Sequence, residues 1–363
     1  MTTSKFLNRP DVYCHAPWVG GSYMPDGKFT PCCHWRGEKF NSREEMTQKV
    51  GDIFLRGEIP DNCSFCVPGQ PSWRDSYNVY PTDYKTYKLK FLDFRNSNLC
   101  NLSCRSCGPT YSTQWASELG WKHILFQYPV NLDYVDFSEC ERIYFAGGEP
   151  LLNPAHYEIL DRLVERTDNG SSMQIMYSTN LTVLNYKDKH VKDYWPKFDQ
   201  ISIHGSIDAV GPYAGVVRSG SDWATVEKNL TWVRSQPNVL VRISTVISAI
   251  NIWFLPSLFE YLDFAELYNT ENGSGPVLFE PILAWGDNEF NLSSIPHRFR
   301  PDLIDMLSNN KFSSHPNIQH AIEILKDPAY NAQYWELFLK TQKELDQKRN
   351  ENWFDLLPIK DQL

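Results

Sequence analysis

Three closely spaced cysteines, Cys100, Cys104 and Cys107, suggest chemistry more clearly than any other residues of this chain. They form the pattern C-x3-C-x2-C. Three thiolates at this spacing can each ligate one iron of a [4Fe–4S] cluster, which leaves the fourth iron without a protein ligand. A small chelating molecule can bind that open iron. The pattern therefore predicts a redox cluster that also binds a small ligand.

A zinc site is the alternative for the same three residues. Structural zinc takes four protein ligands, usually supplied by two C-x2-C pairs. A C-x3-C step inside a group of three cysteines fits that arrangement less well. We therefore favour the iron–sulfur cluster at this position.

Cysteine usage along the whole chain also indicates metal binding. The chain has nine cysteines. In a reducing compartment, clustered cysteines favour metal ligation over disulfides. A second group consists of Cys14, Cys32, Cys63 and Cys66. Cys33 and Cys140 are left over and are expected to be small core residues.

Length and charge narrow the class of protein further. The 363 residues suffice for one large domain and a smaller one. The net charge is −9, and no basic stripe indicates a nucleic-acid partner. No apolar run reaches the length of a membrane span, and the first residues lack the apolar core of a secretory signal. We expect a cytoplasmic protein that binds neither nucleic acid nor membrane.

From about Tyr87 onward, short apolar runs alternate with helical segments. The predicted strands are 87–95, 142–146, 173–178, 200–204, 240–247 and 277–283. Helices are predicted from Pro154, which follows the cap residue Asn153, from near Ser221, and over 251–262. This alternation favours a parallel sheet, and the active sites of barrels built this way lie at the carboxyl ends of the strands. The cysteine trio follows the first strand directly, so we place it at that end.

Polar and glycine residues follow the next three predicted strands. The second strand leads into Gly147-Gly148-Glu149, where glycines allow a close approach of the backbone to a ligand. The third strand ends at Ser178 and is followed by Asn180. The fourth leads into Ser206, with Arg218 twelve residues later.

Taken together, these motifs resemble the radical S-adenosylmethionine (SAM) superfamily. In that family the methionine part of SAM chelates the open iron, and an electron from the cluster splits SAM into methionine and a 5′-deoxyadenosyl radical. The resemblance implies that Gly147, Gly148 and Glu149 bind the methionine amine. It assigns the SAM carboxylate to Ser206 and Arg218, since an arginine suits a carboxylate.

Two details of the resemblance stay open. Ser178 and Asn180 either face the ribose of SAM or only make turn and cap hydrogen bonds. The residue before the last cluster cysteine is commonly aromatic in the family and lies near the adenine, but here it is Ser106. This departure concerns the adenine contact and leaves the thiolates unaffected.

The N-terminal cysteine group predicts a second metal site. Asp26-Gly27 reads as a hairpin turn that brings Cys14 and Cys32 together, and the pair Cys63 and Cys66 would close the site. Four thiolates suit zinc and a [4Fe–4S] cluster equally on spacing alone. The C-x(9–15)-G-x4-C pattern resembles the SPASM and twitch domains of radical SAM enzymes, which favours the cluster. Cys33 is the alternative to Cys32 as a ligand.

The resemblance implies an α/β fold of three parts. A partial (βα)6 TIM-like barrel, the radical SAM core, is expected over residues 81–300. A small N-terminal α+β twitch-like domain occupies residues 1–80, joined to the barrel through residues 69–74. A helical extension occupies 301–363. In its helix 332–350, the predicted packing face consists of Tyr334, Leu337, Phe338, Thr341 and Leu345.

The leading function is a radical SAM oxidoreductase that oxidises a peptide or protein side chain, with the auxiliary cluster as electron acceptor. A dehydrogenase or rearrangement enzyme for a small polar metabolite is the runner-up, and a non-catalytic redox protein is a further alternative. The expected partners are the substrate and an electron donor such as flavodoxin or ferredoxin. Near the sixth strand, Glu280, Trp285 and Asp287 are candidate pocket residues.

The cysteine patterns predict about eight irons per chain after anaerobic reconstitution, because two four-iron clusters are expected. Changing Cys100, Cys104 and Cys107 together to Ala should remove about half of this iron. Metal analysis of both proteins measures the effect. Stoichiometric zinc at the N-terminal group would contradict the auxiliary cluster.

Overall fold

The computed structural model describes residues 12–363 apart from Pro25 and the ranges 64–65, 67–73, 126–134, 166–170, 273–276 and 285–287. Within the described part, no helix is both long enough and apolar enough to cross a membrane. Trp285 and Asp287 lie outside the described residues, as does the predicted linker 69–74 except for Arg74.

The chain has an α/β fold in which most of the described strand pairs are parallel. Its strands are β1 (Gly20–Tyr23), β2 (Phe29–Thr30), β3 (Phe91–Phe94), β4 (Arg142–Phe145), β5 (Ser171–Thr179), β6 (Asn185–Tyr186), β7 (Lys189–His190), β8 (Phe198–Ser206), β9 (Val239–Ile247) and β10 (Val277–Leu283). Its α-helices are α1 (Ala16–Val19), α2 (Arg43–Leu55), α3 (Asp75–Asn78), α4 (Thr113–Glu118), α5 (Pro154–Glu165), α6 (Ala214–Val217), α7 (Trp223–Arg234), α8 (Leu255–Asn272), α9 (Arg300–Ser308), α10 (Pro316–Lys326), α11 (Ala332–Arg349) and α12 (Trp353–Leu356).

The chain divides into two compact units, each made of several segments. The first unit comprises Met1–Cys100, Lys122–Ser178 and Asn185–Ser202. The second comprises Asn101–Trp121, Thr179–Leu184 and Ile203–Leu363. The chain passes from the first unit to the second within β8.

In the first unit the strand order is β8-β5-β4-β3-β1-β2, with β8 represented by its first residues. β1 runs parallel to β3, with Gly20 opposite Phe91, and β2 pairs with β1 in the antiparallel direction. The predicted hairpin is confirmed, because Gly27 has a φ of +77° and its N–H donates to Met24 O at 3.0 Å. The N-terminal hairpin thus extends the same sheet as β3, β4 and β5.

Apolar side chains from the N-terminal helices cover this edge of the sheet. Trp18, Met46, Phe54, Tyr77 and Phe91 are all buried in one cluster. The helix α2 begins where the sequence supplies a cap, since Ser42 Oγ accepts a hydrogen bond from the Glu45 N–H at 3.1 Å. Burial of these aromatic and apolar groups is the main favourable term that holds the segment in place.

The predicted strands and helices occur, with changes at their ends. β3 is shorter than predicted, because the N–H groups of Lys88 and Lys90 donate to the carbonyls of Trp18 and Val19 at 2.8 and 2.7 Å. α5 begins at Pro154 as expected, with Asn153 Oδ1 accepting from the Ala155 N–H at 3.1 Å. α8 continues to Asn272, beyond the predicted end at residue 262.

In the second unit, β9 and β10 are parallel, and Ser244 lies opposite Glu280. Alternate residues of β9 are fully buried, which explains its regular apolar pattern: Val241, Ile243, Thr245 and Ile247. The helix α7 begins after Asp222, whose carboxylate accepts from the Thr225 N–H at 3.0 Å. The sequence pattern therefore specifies these elements locally.

The packing face predicted for helix α11 is partly wrong. Phe338 and Leu345 are buried as expected, but Leu337 is 45% exposed. The buried face instead consists of Trp335, Phe338, Gln342 and Leu345. The buried glutamine interrupts the apolar spacing of the helix. A prediction from apolar residues alone therefore chooses a face that is rotated about the helix axis from the face that is buried.

Neighbouring positions 337 and 338 of α11 provide a matched test of this corrected face. Phe338 is fully buried and its ring centroid lies 5.2 Å from that of Trp335. Phe338→Ala should lower the free energy of unfolding by about 3–5 kcal/mol, as large buried side chains do. Leu337→Ala should change it by less than about 0.5 kcal/mol. Anaerobic urea titration followed by circular dichroism measures both, and equal losses would contradict the face.

Candidate active site

The C-x3-C-x2-C motif occupies an irregular loop that follows β3. Cys100 is the last residue of the opening segment of the first unit, while Cys104 and Cys107 belong to the second unit. All three side chains are half-buried. The N–H of Cys107 donates to the carbonyl of Cys104 at 3.0 Å, so the last two cysteines share one tight turn.

A guanidinium group lies beside the second cysteine. Arg218 Nη1 is 3.8 Å from Cys104 Sγ, and Arg218 Nε donates to Asp208 Oδ2 at 2.8 Å. The other oxygen of Asp208 accepts from the Val246 N–H at 2.8 Å, and its backbone carbonyl accepts from Asn251 Nδ2 at 2.9 Å. Asp208 therefore fixes the direction in which Arg218 points.

Burial favours the protonated form of two motif thiols, those of Cys104 and Cys107. It raises the pKa of Cys104 to about 11, although the charge of Arg218 acts in the opposite direction. The pKa of Cys107 is raised for the same reason. Metal ligation requires the thiolate, so a bound cluster must displace these protons. A nearby guanidinium suits the net negative charge of a thiolate-ligated cluster, and the donor set fits such a group.

The Gly147-Gly148-Glu149 string packs against the chain that leads into the cysteine loop. The N–H of Gly148 donates to Ser97 O at 3.0 Å, and that of Glu149 donates to Leu99 O at 2.6 Å. A Cβ on Gly148 would lie 2.3 Å from Leu99 O. Glycine is thus required for close contact between two backbones, and the predicted role of the string in SAM binding stays a prediction.

The polar residues predicted around the ribose make turn and cross-strand hydrogen bonds. Asn180 Oδ1 accepts from the Thr182 N–H at 2.9 Å, and Asn180 Nδ2 donates to Asn101 Oδ1 at 3.0 Å. The hydroxyl of Ser178 hydrogen-bonds with that of Tyr144. Ser206 is half-buried at the end of β8. These contacts account for Ser178 and Asn180 locally, while the SAM contacts of all three residues stay predictions.

The four N-terminal cysteines line one pocket of the first unit. The pocket has a cavity volume of about 30 Å³, and its lining includes Cys14, Cys32, Cys63 and Cys66. The Cys66 N–H donates to the Cys63 carbonyl at 3.2 Å. Cys33 is not among the lining residues, and its thiol instead faces the charges of Asp93 and Arg95.

The pocket thiols influence each other electrostatically. Burial, together with the neighbouring Cys32 and Cys66, raises the pKa of Cys63 to about 12. Burial and the same neighbours raise the pKa of Cys14. Among the residues that the structure describes, no group of three or more His, Cys, Asp or Glu side chains is arranged to hold a metal ion. Four thiols on one pocket nevertheless match the donor set of a [4Fe–4S] cluster.

A polar group lies on the strands β8, β9 and β10 of the second unit. Glu280 accepts hydrogen bonds from Ser244 Oγ and pairs with His204 Nδ1, both at 2.9 Å. The hydrogen bond with His204 is the main cause that lowers the pKa of Glu280 to about 2. Leu278 and Ile282 flank Glu280 on the same face of β10 and are exposed.

Sequence reasoning named Glu280 but missed three residues that interact at these sites. Asp208 orients Arg218, and His204 and Ser244 hold Glu280. Asp208 and His204 lie two residues either side of Ser206, and polar residues at a strand end were the available signal. The hydrogen-bonding partners of these residues are distant in the sequence, so the sequence could not predict which residues pair.

Comparison with protein families supports this description. Residues 97–251 match the Radical SAM superfamily model, so this segment is a radical SAM domain. An uncharacterized protein of Methanocaldococcus jannaschii is 29% identical over 182 residues, which are 48% of this chain and 58% of that protein. The 7-carboxy-7-deazaguanine synthase of Clostridium acetobutylicum is 31% identical over 94 residues, which are 24% of this chain and 39% of the synthase. The chain thus spans less than two thirds of either relative.

Solved structures similar to this chain include anSMEcpe with bound AdoMet and the Cp18Cys peptide, at 18% identity and a TM-score of 0.36. That match covers 60% of this chain and 59% of anSMEcpe. TYW1 with a lysine-pyruvate adduct bound matches at 15% identity and a TM-score of 0.30, covering 61% of this chain and 71% of TYW1.

The close backbone contact at Gly148 can be tested by adding a methyl group. Gly148→Ala should destabilise the protein by about 1–3 kcal/mol, because the Leu99 carbonyl is backbone and cannot move aside alone. Gly108→Ala, on the cysteine loop, is the control, because an added Cβ there meets nothing within 4 Å. Urea midpoints and iron content measure the outcome. Equal behaviour of the two variants would show that the contact is not required.

Proposed function

We propose that this protein is a radical SAM enzyme that oxidises a peptide or protein side chain. One observation carries the proposal: besides the radical SAM domain at 97–251, the chain has a second set of four cysteines that line one pocket. A set of four thiols leaves no iron of a cluster open for SAM. The second site therefore suits electron transfer rather than SAM cleavage.

The proposed reaction is a net two-electron oxidation of the substrate. When bound, the first cluster and SAM supply methionine and a 5′-deoxyadenosyl radical at the expense of one electron from an external donor such as flavodoxin or ferredoxin. That radical would take one hydrogen atom from the substrate and become 5′-deoxyadenosine. A cluster held by Cys14, Cys32, Cys63 and Cys66 would accept the remaining electron as the substrate loses a proton and gains a double bond.

The chain's own residues would hold SAM by charge and backbone contacts. Arg218 provides the cation for the SAM carboxylate, and Asp208 orients it through the 2.8 Å hydrogen bond to Nε. With Nε held by Asp208 and Nη1 beside Cys104 Sγ, the guanidinium lies at the cysteine loop, where SAM would bind. Ser206 would add a hydroxyl contact, and the backbone of Gly147-Gly148-Glu149 would take the methionine amine.

A small polar metabolite is the second candidate substrate. Glu280, His204 and Ser244 form a hydrogen-bonding group on a partly exposed sheet face, which suits hydroxyl or amine groups. Similarity over 94 residues to 7-carboxy-7-deazaguanine synthase supports the same class. A dehydrogenase or rearrangement reaction would then replace side-chain oxidation.

The proposal is tested by incubating reconstituted, dithionite-reduced protein with SAM and measuring 5′-deoxyadenosine and methionine by chromatography. We expect both products at a slow rate, which candidate peptides or metabolites should accelerate. Formation of neither product by protein with a full iron complement would contradict an enzyme and favour the non-catalytic redox protein.

The role of the second site is tested with a Cys63→Ala, Cys66→Ala variant. It should still form 5′-deoxyadenosine, because these residues lie outside the segment 97–251, but it should not complete the oxidised product. Cys33→Ala is the matched control, since Cys33 does not line the pocket. Circular dichroism and the retained half of the iron establish that the variant is folded. Normal product formation by the folded double variant would eliminate the auxiliary cluster as electron acceptor.

A further inference from the structure

An arginine stands between two cysteines of the C-x3-C-x2-C motif, and its side chain is fully buried. Arg105 Nε donates to Val216 O at 2.6 Å. Nη1 donates to the side-chain and backbone oxygens of Gln342 at 3.1 and 3.3 Å. Nη2 donates to the carboxylates of Asp346 and of Glu351, the latter at 2.6 Å. The guanidinium is therefore fully engaged with oxygen atoms.

Most of these partners belong to the C-terminal part of the chain. Gln342 and Asp346 are one turn apart on α11, and Glu351 follows the end of that helix. The carboxylate of Asp346 also accepts from the N–H groups of Trp353 and Phe354 at 3.2 Å, which ties α12 to the same point. The burial of Gln342, which breaks the apolar pattern of α11, is explained by its bonds to Arg105.

A second arginine of α11 supports the same loop. Arg349 donates to the Glu118 carboxylate at 2.8 Å and to Ser219 Oγ at 2.9 Å. The other oxygen of Glu118 accepts from Ser103 Oγ at 2.6 Å. The guanidinium of Arg349 also lies 4.4 Å from the ring centroid of Trp115, whose Nε1 donates to the Cys104 carbonyl at 2.8 Å.

The loop backbone is held by the same contacts. The N–H groups of Ser103 and Arg105 donate to the carbonyls of Ser219 and Val217 at 2.9 and 3.0 Å. This pairing aligns Cys104 with Arg218, whose Nη1 is 3.8 Å from the cysteine sulfur. Residues 103–107 form no regular secondary structure. They are held through their own Arg105, which pairs with Asp346 and Glu351, and through the ion pair of Arg349 with Glu118.

We propose that Arg105 is a positioning residue that clamps the cluster-binding loop to the C-terminal helix α11. This gives the C-terminal extension a role in forming the site, in addition to packing. The assignment of the loop to a cluster rests on the proposed function, whereas the clamp itself is a property of the protein chain. A lysine cannot replace the clamp, because one ammonium group cannot reach Val216, Gln342 and both carboxylates at once.

The test compares Arg105→Met and Arg105→Lys with Arg300→Met in the full-length protein. Arg300 is the matched control, since it is also buried and donates to several backbone carbonyls, but these lie at residues 293–295 and 325–329. Losing either arginine removes a buried network of hydrogen bonds. Only the loss of Arg105 should affect the cysteine loop.

Two readouts are measured, and one of them needs no cluster. Hydrogen exchange of a peptide covering 100–112 should become faster by on the order of tenfold or more in Arg105→Met, with a smaller change in Arg105→Lys and none in Arg300→Met. In reconstituted protein, the electron paramagnetic resonance signal that changes on adding SAM should be lost in Arg105→Met. The iron of the N-terminal site should remain.

The outcomes separate the clamp from the proposed function. If the peptide 100–112 exchanges hydrogen at the same rate in Arg105→Met and in the wild type, the clamp is overturned, whatever metal is bound. Wild-type protein without a SAM-sensitive signal, but with exchange that depends on Arg105, supports the clamp and contradicts the proposed function. If Arg105→Met does not fold, the double variant Asp346→Asn, Glu351→Gln removes the charge of both carboxylate partners. Faster hydrogen exchange of 100–112 in this variant supports the clamp, and an unchanged rate overturns it.

Discussion

The buried charge of Arg105 is the constraint on which the arrangement of the second unit depends. A guanidinium without water must be matched by carboxylates and carbonyls, and removing one partner leaves an uncompensated charge. Asp346 and Glu351 therefore have to lie at the cysteine loop whenever Arg105 is buried there. This requirement determines which face of α11 is buried and why α12 is tied to Asp346. It also explains why the backbone of residues 103–105 hydrogen-bonds with that of residues 217–219.

The two cysteine groups differ in their electrostatic surroundings. Cys104 lies beside Arg218, which favours the negative thiolate, whereas burial and the neighbouring thiols act together to raise the pKa of Cys14 and Cys63. At Cys104, Cys14 and Cys63 the raised pKa means that a bound metal has to displace a proton. The motif thiols are assisted in this by a fixed cation that Asp208 orients. The pocket thiols depend more fully on the metal itself.

Much of the fold could be predicted because its signals are local. β9, β10 and the start of α5 follow from apolar alternation and from the pair Asn153 and Pro154. The contacts of Arg105 could not be predicted, because its partners Gln342 and Asp346 lie more than 200 residues away in the sequence. The buried face of α11 was misjudged for the same reason. Gln342 is polar, and only a distant guanidinium explains its burial.

The parallel pairing of β1 with β3 has a consequence for how the protein can be divided. Gly20–Tyr23 supply the hydrogen-bonding edge for Phe91–Phe94, a strand that is buried along its whole length. Removing the segment that contains β1 would leave β3 as an uncovered, apolar edge strand, which is the kind of surface that pairs with other chains. The cysteine-rich N-terminal segment therefore also covers the edge of the sheet, independently of any metal that it binds.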